Sequence, residues 1–525
     1  MPSRMTIPMP PPQLTHARRL IVASNRGPVE FQLRHDKTLK GVRGAGGMVT
    51  ALIGAGSSLD MTWVAMAMTE GDRLAAQQAK QNDGRIQSPL RDAKIQLRYV
   101  TIPKNAYRKY YEKVSNEILW FLQHYLYDPF ENSIPPEKLQ DAWENGYCVA
   151  NQAIAETINA EIEREDSPPV VMLQDYHLYL VPGLIRKRHP SVITQHFIHI
   201  PWPDVRCWYF LPSDIAHAIY GGLAGNDIIG FQTQRDARNF LEGARTLLDG
   251  AVVDFEEGAV WWQGHRTQAR AYPISISVTE ERRIATSMAG RRAAEKIRPL
   301  LREHTIMRVD RMEPTKNIVR GFQAYAQLLE KHPELHGKVV FLAFLVPSRQ
   351  GLPVYRRYAA EVMALVEEIN KKYGTSGWTP IHAFYENDRT RALAAMQYYD
   401  VLLVNPIIDG MNLVAKEGSV VNKRDGVLVL SRTVGAFQQL AKGSIPTSPL
   451  DVNEIAGALY QALMLSPEER KAKATLARQA VERNDLQDWL ARQFRDINEL
   501  LDLSSTQPGR LAAEKEARVA AHMSS

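Results

Sequence analysis

Short apolar runs alternate with longer amphipathic segments along most of this chain, and that alternation limits the fold more than any other feature. The runs are rich in leucine or β-branched residues and end at turn residues; they cover residues 20–23, 170–173, 192–200, 228–231, 339–345, 401–404 and 427–430. A strand that is covered on both faces loses its polar alternation, so these runs predict buried parallel strands. Helical patterns such as 320–331 and 355–372 lie between them. The sequence therefore predicts an α/β protein with parallel sheets.

The length of 525 residues allows two large domains or three domains of roughly 150 residues. A boundary is predicted at Tyr272-Pro273, where a strand-like segment ends before a charged helical stretch, 279–304, and a second α/β series over 307–432. The predicted parts are an N-terminal arm (1–18), two domains (19–273 and 274–484), a helix (485–503) and a mobile tail (504–525). Ligands of such folds bind at the carboxyl ends of strands, so the residues after each strand are the candidates for function.

Charge and cysteine usage exclude several classes of protein. The net charge is only +6 and no run of five like charges occurs, which argues against a nucleic-acid or membrane surface. Cys148 and Cys207 are too few for a disulfide framework and predict reduced thiols. No signal peptide is recognisable and no apolar run approaches the ~20 residues that span a bilayer. A soluble, cytoplasmic protein is predicted.

Glycine-containing turns follow the opening strand at 24–28 (SNRGP) and 44–47 (GAGG). Glycines after a strand let backbone amides approach a phosphate, and a following helix N-terminus adds favourable partial charge. A pair of ordinary turns is the alternative interpretation.

Two further motifs follow predicted strands, 173–177 (LQDYH) and 197–203 (FIHIPWP). Burying polar side chains such as Asp175 and His199 at these positions costs free energy unless they bind a partner or a substrate. For His199 a hydrogen-bonded core histidine is the alternative, and His177 and His196 are interpreted as core residues.

The last two motifs are 311–316 (RMEPTK) and 409–417 (DGMNLVAKE). Arg311 and Lys316 stand five residues apart in a loop that opens a helix, with an exposed basic face as the alternative. Asp409 and Glu417 flank a predicted helix start. In this geometry the free amides of the helix start would bind a diphosphate, Asp409 would bind a sugar and Glu417 would bind ribose hydroxyls.

In this order the motifs resemble those of the trehalose-6-phosphate synthases, a retaining glycosyltransferase family of the GT-B fold. The resemblance spans about residues 20–503 and also rests on 111–120 (YEKVSNEILW), 229–233 and Ser348-Arg349. It implies an α/β architecture of two Rossmann-like, doubly wound parallel-sheet domains with the active site in the cleft between them. It also implies that the C-terminal helix crosses back to the first domain.

The implied reaction moves glucose from UDP- or GDP-glucose to glucose 6-phosphate and gives α,α-trehalose 6-phosphate. By resemblance, Arg26 and Arg349 hold the acceptor's phosphate, Asp175 and Tyr111 bind or orient the acceptor, and Trp120 shapes its pocket. The implied catalytic residues are His199, Arg311, Lys316 and Asp409. The implied donor-binding residues are Gly46, Gly47, His199, Arg311, Lys316, Asp409, Met411, Asn412, Leu413, Val414, Ala415, Lys416 and Glu417.

No Asp-x-Asp motif and no clustered histidines and carboxylates of metal-ligand spacing occur in the sequence. We therefore expect Arg311 and Lys316 to neutralise the leaving diphosphate without a metal, and we expect no cofactor. A covalent intermediate would need a carboxylate under the anomeric carbon, whereas Asp409 and Glu417 are expected to face phosphate and hydroxyls, so a front-face mechanism is expected. The expected partners are the two substrates, and homo-oligomerisation stays open. One expectation concerns Tyr111 and Trp120, because nine residues make about two and a half α-helical turns, which puts the two side chains on opposite faces.

Three positions depart from the family's usual residues and leave the donor base open among uracil, guanine and adenine. Asn317 stands where a glycine is common, Ile408 where an arginine is common, and Asn387 where a larger apolar residue often lies beside the base. A sister enzyme with another phosphorylated acceptor is the alternative, either a glucosylglycerol-phosphate synthase or a cyclitol-phosphate pseudo-glycosyltransferase. A non-catalytic sensor of sugar phosphates is a further alternative, although a sensor has no need of leaving-group cations.

Overall fold

The computed structural model of the protein describes residues 13–14, 19–44, 49, 52–53, 60–90, 94–128 and 135–506, with side chains up to residue 503. The chain forms two compact units. One comprises Met1–Tyr272 together with Gln487–Ser525, and the other comprises Pro273–Leu486. None of the helices in the described ranges is both long enough and apolar enough to cross a membrane.

A ten-stranded sheet lies at the centre of the first unit. Its strands are β1 (Arg19–Ser24), β4 (Asp60–Met66), β5 (Arg85–Gln87), β6 (Ile95–Val100), β7 (Val170–Gln174), β8 (Ile193–Phe197), β9 (Ile228–Phe231), β10 (Val252–Asp254), β11 (Ala259–Trp262) and β12 (His265–Ala271). The order across the sheet is β10-β11-β12-β9-β8-β7-β1-β4-β6-β5. A separate hairpin consists of β2 (Val29–Leu33) and β3 (Leu39–Arg43).

The strand order of this sheet reverses next to β1. The chain runs outward through β4 and β6 on one side, then returns to β7 and continues through β8 and β9 on the other, all in parallel pairs. Connections diverge at such a reversal and leave a crevice at the carboxyl ends of the strands. Arg26 and Asp175 follow β1 and β7 and therefore lie at this point.

The helices of the first unit cover its sheet. They are α1 (Glu70–Ala79), α2 (Lys104–Arg108), α3 (Trp120–Gln123), α4 (Pro136–Ala142), α5 (Val149–Ile162), α6 (Val181–Arg188), α7 (Val205–Trp208), α8 (Ser213–Leu223) and α9 (Gln234–Leu247), with 3₁₀ turns at Lys80–Asn82 and Tyr176–Leu178. Two segments are π-helical, Lys109–Leu119 and Trp143–Cys148.

The helix Leu486–Thr506, the last that the structure describes, packs on the first unit. Trp489 meets Phe197 edge to face with ring centroids 5.2 Å apart. The buried amide Nε2 of Gln195 donates to Gln493 Oε1 at 3.0 Å. The helix therefore covers the sheet at β8. The strand β8 ends at Phe197, three residues before the end of the run 192–200 that the sequence predicted as a strand.

The second unit is built on a six-stranded, fully parallel sheet. Its strands are β13 (His304–Arg311), β14 (Val339–Val346), β15 (Ile381–Tyr385), β16 (Val401–Val404), β17 (Val427–Ser431) and β18 (Ser444–Thr447). The order β15-β14-β13-β16-β17-β18 reverses between β13 and β16. The loops after these two strands carry Lys316 and Asp409.

Nine α-helices, counted over the described residues, flank this second sheet. They are α10 (Val278–Thr286), α11 (Met288–Ile297), α12 (Ile318–Lys331), α13 (Pro353–Tyr373), α14 (Arg389–Met396), α15 (Leu413–Val421), α16 (Phe437–Leu440), α17 (Val452–Met464) and α18 (Pro467–Glu482), with 3₁₀ turns at Arg298–Leu300, Pro314–Lys316, Pro333–Leu335 and Ala441–Gly443. The helix that follows them, Leu486–Thr506, is α19.

The sequence suggested a single helical stretch over 279–304, whereas the structure has two helices there, α10 and α11. Ser287 has an extended backbone (φ −60°, ψ 167°) and ends α10, while its hydroxyl caps α11 by accepting from Gly290 N at 3.0 Å. Serine at such a position satisfies an amide that the first helical turn leaves without a partner. The second series of strands also begins earlier than predicted, at His304.

Candidate active site

The turn after β1 presents Arg26 on a fixed backbone. Ser24 Oγ donates to Arg26 O at 2.7 Å and accepts from the indole of Trp63 at 2.8 Å. The hydroxyl of Tyr110 donates to Asn25 Oδ1 at 3.1 Å. Arg26 is exposed, so a firmly held turn presents a cation to solvent.

Asp175, directly after β7, has a strained backbone. Its φ of 73° and ψ of 174° fall in a region that is essentially restricted to glycine and costs other residues about 1–3 kcal/mol. Asp175 N donates to Phe197 O at 2.7 Å, and His196 Nε2 lies 2.9 Å from Asp175 O. Asp175 Oδ1 accepts from His199 N at 3.3 Å. Hydrogen bonds to β8 and to the loop that follows it hold the strained backbone in place, and backbone strain of this kind clusters at functional sites.

Tyr111 and Trp120 lie on the same side of their helix, and the expectation of opposite faces was wrong. Lys109–Leu119 is a π-helix, and Trp120 N bonds to Ser115 O five residues earlier. With i→i+5 bonds and roughly 4.4 residues per turn, nine residues make two turns. Tyr111 stacks on His177 (5.9 Å, 14°), and Trp120 packs against Tyr176 at 5.7 Å. Both rings thus contact the dipeptide that follows Asp175.

The second π-helical segment, Trp143–Cys148, lies against the first. A Cβ on Gly146 would stand 2.5 Å from Lys109 Cβ and 2.8 Å from Tyr110 N, so only glycine allows this approach. The ring of Tyr147 lies 5.8 Å from that of Tyr110. Packing between the two segments thus accompanies the wide helical geometry that aligns Tyr111 with Trp120.

His199 is a neutral imidazole. Burial, together with the nearby His196, lowers the pKa of His199 to about 3. Its Nε2 lies 3.0 Å from Gln174 Oε1, an arrangement that assigns the ring proton to Nε2 and leaves Nδ1 as an acceptor. The side chain can exchange hydrogen bonds with a ligand but carries no charge near neutral pH.

In the second unit, the loops after β13 and β16 bring Lys316 and Asp409 into an ion pair. Lys316 Nζ donates to Asp409 Oδ2, and Asn412 Nδ2 donates to the same oxygen at 3.1 Å. Both side chains are largely buried. A cation and a carboxylate therefore stand side by side at the reversal of the strand order.

Glu313 connects the two arginines of this unit that the sequence singled out. Its buried carboxylate lies 2.8 Å from Arg311 Nη2 and 3.6 Å from Arg349 Nη1. Arg349 Nη1 also donates to Tyr355 OH at 2.6 Å. The motif 311–316 predicted no role for Glu313, although its place between Arg311 and Lys316 was a usable signal.

Asn317 occupies a left-handed backbone conformation (φ 55°, ψ 41°), which explains a departure from the family's usual glycine. Asparagine enters this region at less cost than most residues. Its Nδ2 donates to Asn405 O at 3.0 Å and to Pro449 O at 2.6 Å. The substitution is therefore accommodated locally and adds two bonds beneath the Lys316 loop.

The start of α15 lies close to Asp409. Asn412 (φ 67°) caps the helix by accepting from Ala415 N at 3.3 Å, and the amides of a first helical turn favour anions. Lys416, which the resemblance placed among the donor contacts, directs its ammonium to Ile274 O at 2.7 Å and is fully buried. Its side chain thus has a structural partner. Gly46 and Gly47 lie outside the described residues.

Glu417 shares an arginine with a second acid. Arg389 Nη2 lies 2.5 and 2.6 Å from the two carboxylate oxygens of Glu281 and 3.8 Å from Glu417 Oε1. Burial and the charge of Glu281 raise the pKa of Glu417 to about 7. In the part of the chain that the structure describes, no three or more His, Cys, Asp or Glu side chains form a metal-binding group.

Comparison with known proteins gives one family. The family model of glycosyltransferase family 20 matches residues 18–499. A trehalose-6-phosphate synthase of Klebsiella pneumoniae is 30% identical over 489 residues, which are 92% of this chain and 95% of the relative. The fold matches a solved E. coli protein bound with UDP-2-fluoro glucose (TM-score 0.78, 26% identity, 91% of this chain and 99% of that one). It also matches a UDP-forming α,α-trehalose-phosphate synthase of Burkholderia xenovorans in complex with glucose-6-phosphate (TM-score 0.74, 25% identity, 91% and 99%).

Proposed function

The chain belongs to glycosyltransferase family 20, and from that membership we propose that it transfers glucose from a nucleotide diphosphate glucose to glucose 6-phosphate. The products are α,α-trehalose 6-phosphate and the nucleoside diphosphate. UDP-glucose is the proposed donor, since a protein of matching fold binds a UDP-glucose analogue. The observation that carries the proposal is the pairing of Lys316 with Asp409 where the strand order of the second sheet reverses.

We assign the donor to the second unit. Asp409 accepts hydrogen bonds from hydroxyls of the glucosyl ring, and Glu417 accepts them from the ribose. The amides of Leu413 and Val414 at the start of α15 face the diphosphate. Lys316 exchanges its contact with Asp409 for the phosphate when the donor binds, and Arg311, anchored on Glu313, supplies the second cation.

The leaving group determines what these cations do. As the glucosyl–oxygen bond breaks, negative charge builds on the phosphate oxygen. Fixed cations next to that oxygen stabilise the transition state more than the ground state. Lys316 and Arg311 fill the role that a divalent ion fills in many other enzymes, and no cofactor is part of the proposal.

We assign the acceptor's phosphate to Arg26 and Arg349. Arg26 is exposed on a fixed turn, and Arg349 is held by Glu313 and Tyr355. Asp175 orients a hydroxyl of the acceptor, while Tyr111 and Trp120 supply apolar surface for its ring. His199, neutral and anchored on Gln174, accepts a hydrogen bond from the donor sugar through Nδ1.

Retention of configuration is assigned to front-face departure. A covalent intermediate requires a carboxylate behind the anomeric carbon. Asp409, held by Asn412, is placed at the hydroxyls of the glucosyl ring and Glu417 at the ribose, so neither carboxylate is placed behind the anomeric carbon. The leaving diphosphate then accepts the proton of the acceptor hydroxyl, so the acceptor must be held tightly against it.

One assay series tests this function. UDP-, GDP- and ADP-glucose are each combined with glucose 6-phosphate, glycerol 3-phosphate and a cyclitol phosphate in the presence of a chelator, and products are scored by mass. We expect UDP-glucose with glucose 6-phosphate to give the highest kcat/KM. A different best acceptor would identify the sister activity, and no transfer with any pair would refute the synthase assignment.

Two further readouts of that series address the mechanism. Activity that vanishes with the chelator and returns only with a divalent metal would contradict the metal-free assignment. A stable hexose adduct on Asp409 or Glu417, seen by intact-protein mass spectrometry with donor alone, would contradict front-face departure.

The affinity for the donor is expected to rise as the pH increases through 7. Only the deprotonated Glu417 offers both carboxylate oxygens to ribose hydroxyls, and the pKa of this buried acid is raised to about 7. The donor KM should therefore fall about tenfold between pH 6 and pH 8, as linkage requires for one such proton. Initial rates at varied donor concentration across this range measure the effect.

Two variants serve as controls for this pH dependence. Glu417→Gln should have a high donor KM that no longer changes with pH. Glu281→Gln removes the neighbouring negative charge, so the midpoint of the dependence should move to lower pH. An unchanged pH profile in Glu417→Gln would assign the titration to another group.

A further inference from the structure

Arg308 is a fully buried arginine in the middle of β13. Its side chain is 0% exposed, so it touches no substrate. The guanidinium donates through Nε and Nη2 to Asp310 Oδ2, at 2.9 and 2.8 Å. Asp310 is itself almost completely buried. The strand thus carries an ion pair inside the core of the second unit.

The same guanidinium reaches out of the strand to the Lys316 loop. Nη2 donates to Lys316 O at 3.0 Å, and Nη1 lies 3.4 Å from Ile318 O. These carbonyls flank Asn317, whose left-handed conformation turns the chain into α12. One planar group of fixed geometry therefore joins β13 to both sides of the turn that carries Lys316.

The helix that follows leaves room for this group. A Cβ on Gly321 would lie 2.3 Å from Arg308 Nη1. The ring of Phe322 packs beside the guanidinium, with its centroid 5.8 Å from the guanidinium carbon. Any larger residue at position 321 would displace Arg308 from the two carbonyls.

Stability alone does not account for such a pair. Removing two charges from water is expensive, and well-packed apolar residues of similar volume often stabilise a core equally well. What apolar residues cannot do is hold two backbone carbonyls at fixed positions. The contacts of Arg308 therefore point to a role in geometry.

We propose that Arg308 is a positioning residue that holds the Lys316 loop and so directs the Lys316 ammonium at the phosphate oxygen that gains charge as glucose leaves. The inference rests on the proposed function, because it assigns Arg308 an effect on that reaction. Asp310 has the subordinate role of keeping the guanidinium in its plane. Neither residue contacts donor or acceptor.

The test replaces the pair by apolar residues in the double variant Arg308→Met/Asp310→Leu, which leaves no uncompensated buried charge. We expect a melting temperature close to that of the wild type, a kcat at least tenfold lower and an unchanged acceptor KM. Arg308→Lys, which keeps the charge beside Asp310 but lacks the planar fork, should also have a lowered kcat. If the double variant fails to fold, the kcat of Arg308→Lys alone tests the proposal.

A second measurement separates positioning from a purely structural role. In an enzyme that already carries Lys316→Ala, the Arg308 substitutions should lower kcat no further, since their effect passes through the lysine. Losses that multiply with that of Lys316→Ala would overturn the proposal, as would a wild-type kcat in either Arg308 variant. Arg302→Met is the matched control, because Arg302 also donates to backbone carbonyls, those of Pro299, Leu301 and Gly377. It should retain the wild-type kcat. A wild-type enzyme that transfers no glucose would refute the proposed function instead.

Discussion

Lys316→Ala is expected to lower kcat by about 10²–10³, the usual loss when one preorganised donor to a developing oxyanion is removed. The effect should fall on kcat more than on the donor KM, because the charge on the leaving oxygen is largest in the transition state. Steady-state kinetics with saturating acceptor measure it. The fold should persist, since Asp409 keeps its bond from Asn412 and the surrounding 3₁₀ turn keeps its backbone contacts.

Lys338→Ala is the matched control for this prediction. Lys338 is exposed and directly precedes β14, at the amino ends of the parallel strands. Its removal should leave kcat unchanged. A Lys316→Ala enzyme whose kcat stays within threefold of the wild type would remove the lysine from the chemistry.

Arg349→Ala is expected to raise the acceptor KM by about 10- to 150-fold while the donor KM stays nearly constant. This range corresponds to the ~1.5–3 kcal/mol of one charge-assisted hydrogen bond to phosphate. The sharper readout is the preference for a phosphorylated acceptor. In the variant, kcat/KM with glucose 6-phosphate should fall by this factor, whereas kcat/KM with unphosphorylated glucose should not change.

A graded series supports the assignment of Arg349. Tyr355→Phe removes the hydroxyl that accepts from Arg349 Nη1 and should raise the acceptor KM by less than Arg349→Ala does. Arg356→Ala, on the same segment but exposed and bonded to the carbonyls of Gln350 and Gly351, should have a small effect or none. A raised donor KM together with an unchanged acceptor KM in Arg349→Ala would place this arginine at the nucleotide.

The α/β fold could be predicted from the sequence because strands that are covered on both faces have unbroken apolar sequences. The run 339–345 appears as β14 with nearly every residue buried, and 228–231 coincides with β9. The GT-B fold is confirmed by the match to the E. coli structure. The residues after strands could be singled out on topological grounds, since both sheets reverse their order where β1 and β13 end.

The remaining features depended on information that a periodic pattern does not contain. The α-helical period of 3.6 placed Tyr111 and Trp120 apart, because i→i+5 hydrogen bonding leaves no recognisable signal in side-chain spacing. Arg308 interrupts an apolar strand and looks like an exposed position until its bonds to two distant carbonyls are seen. The charge of Glu281 acts on Glu417 from another helix, more than a hundred residues away in sequence.

The return of α19 to the first unit sets an order of events during synthesis on the ribosome. Domains generally fold as their residues emerge, from the N-terminus onward. The second unit is complete at Leu486, whereas the first still lacks the helix that brings Trp489 to Phe197 and Gln493 to Gln195. The half that is translated first is therefore finished last, and until then the amide of Gln195 and the ring of Phe197 lack the partners that bury them. A nascent chain stalled before residue 487 holds a finished second unit and a first unit that still lacks its closing helix.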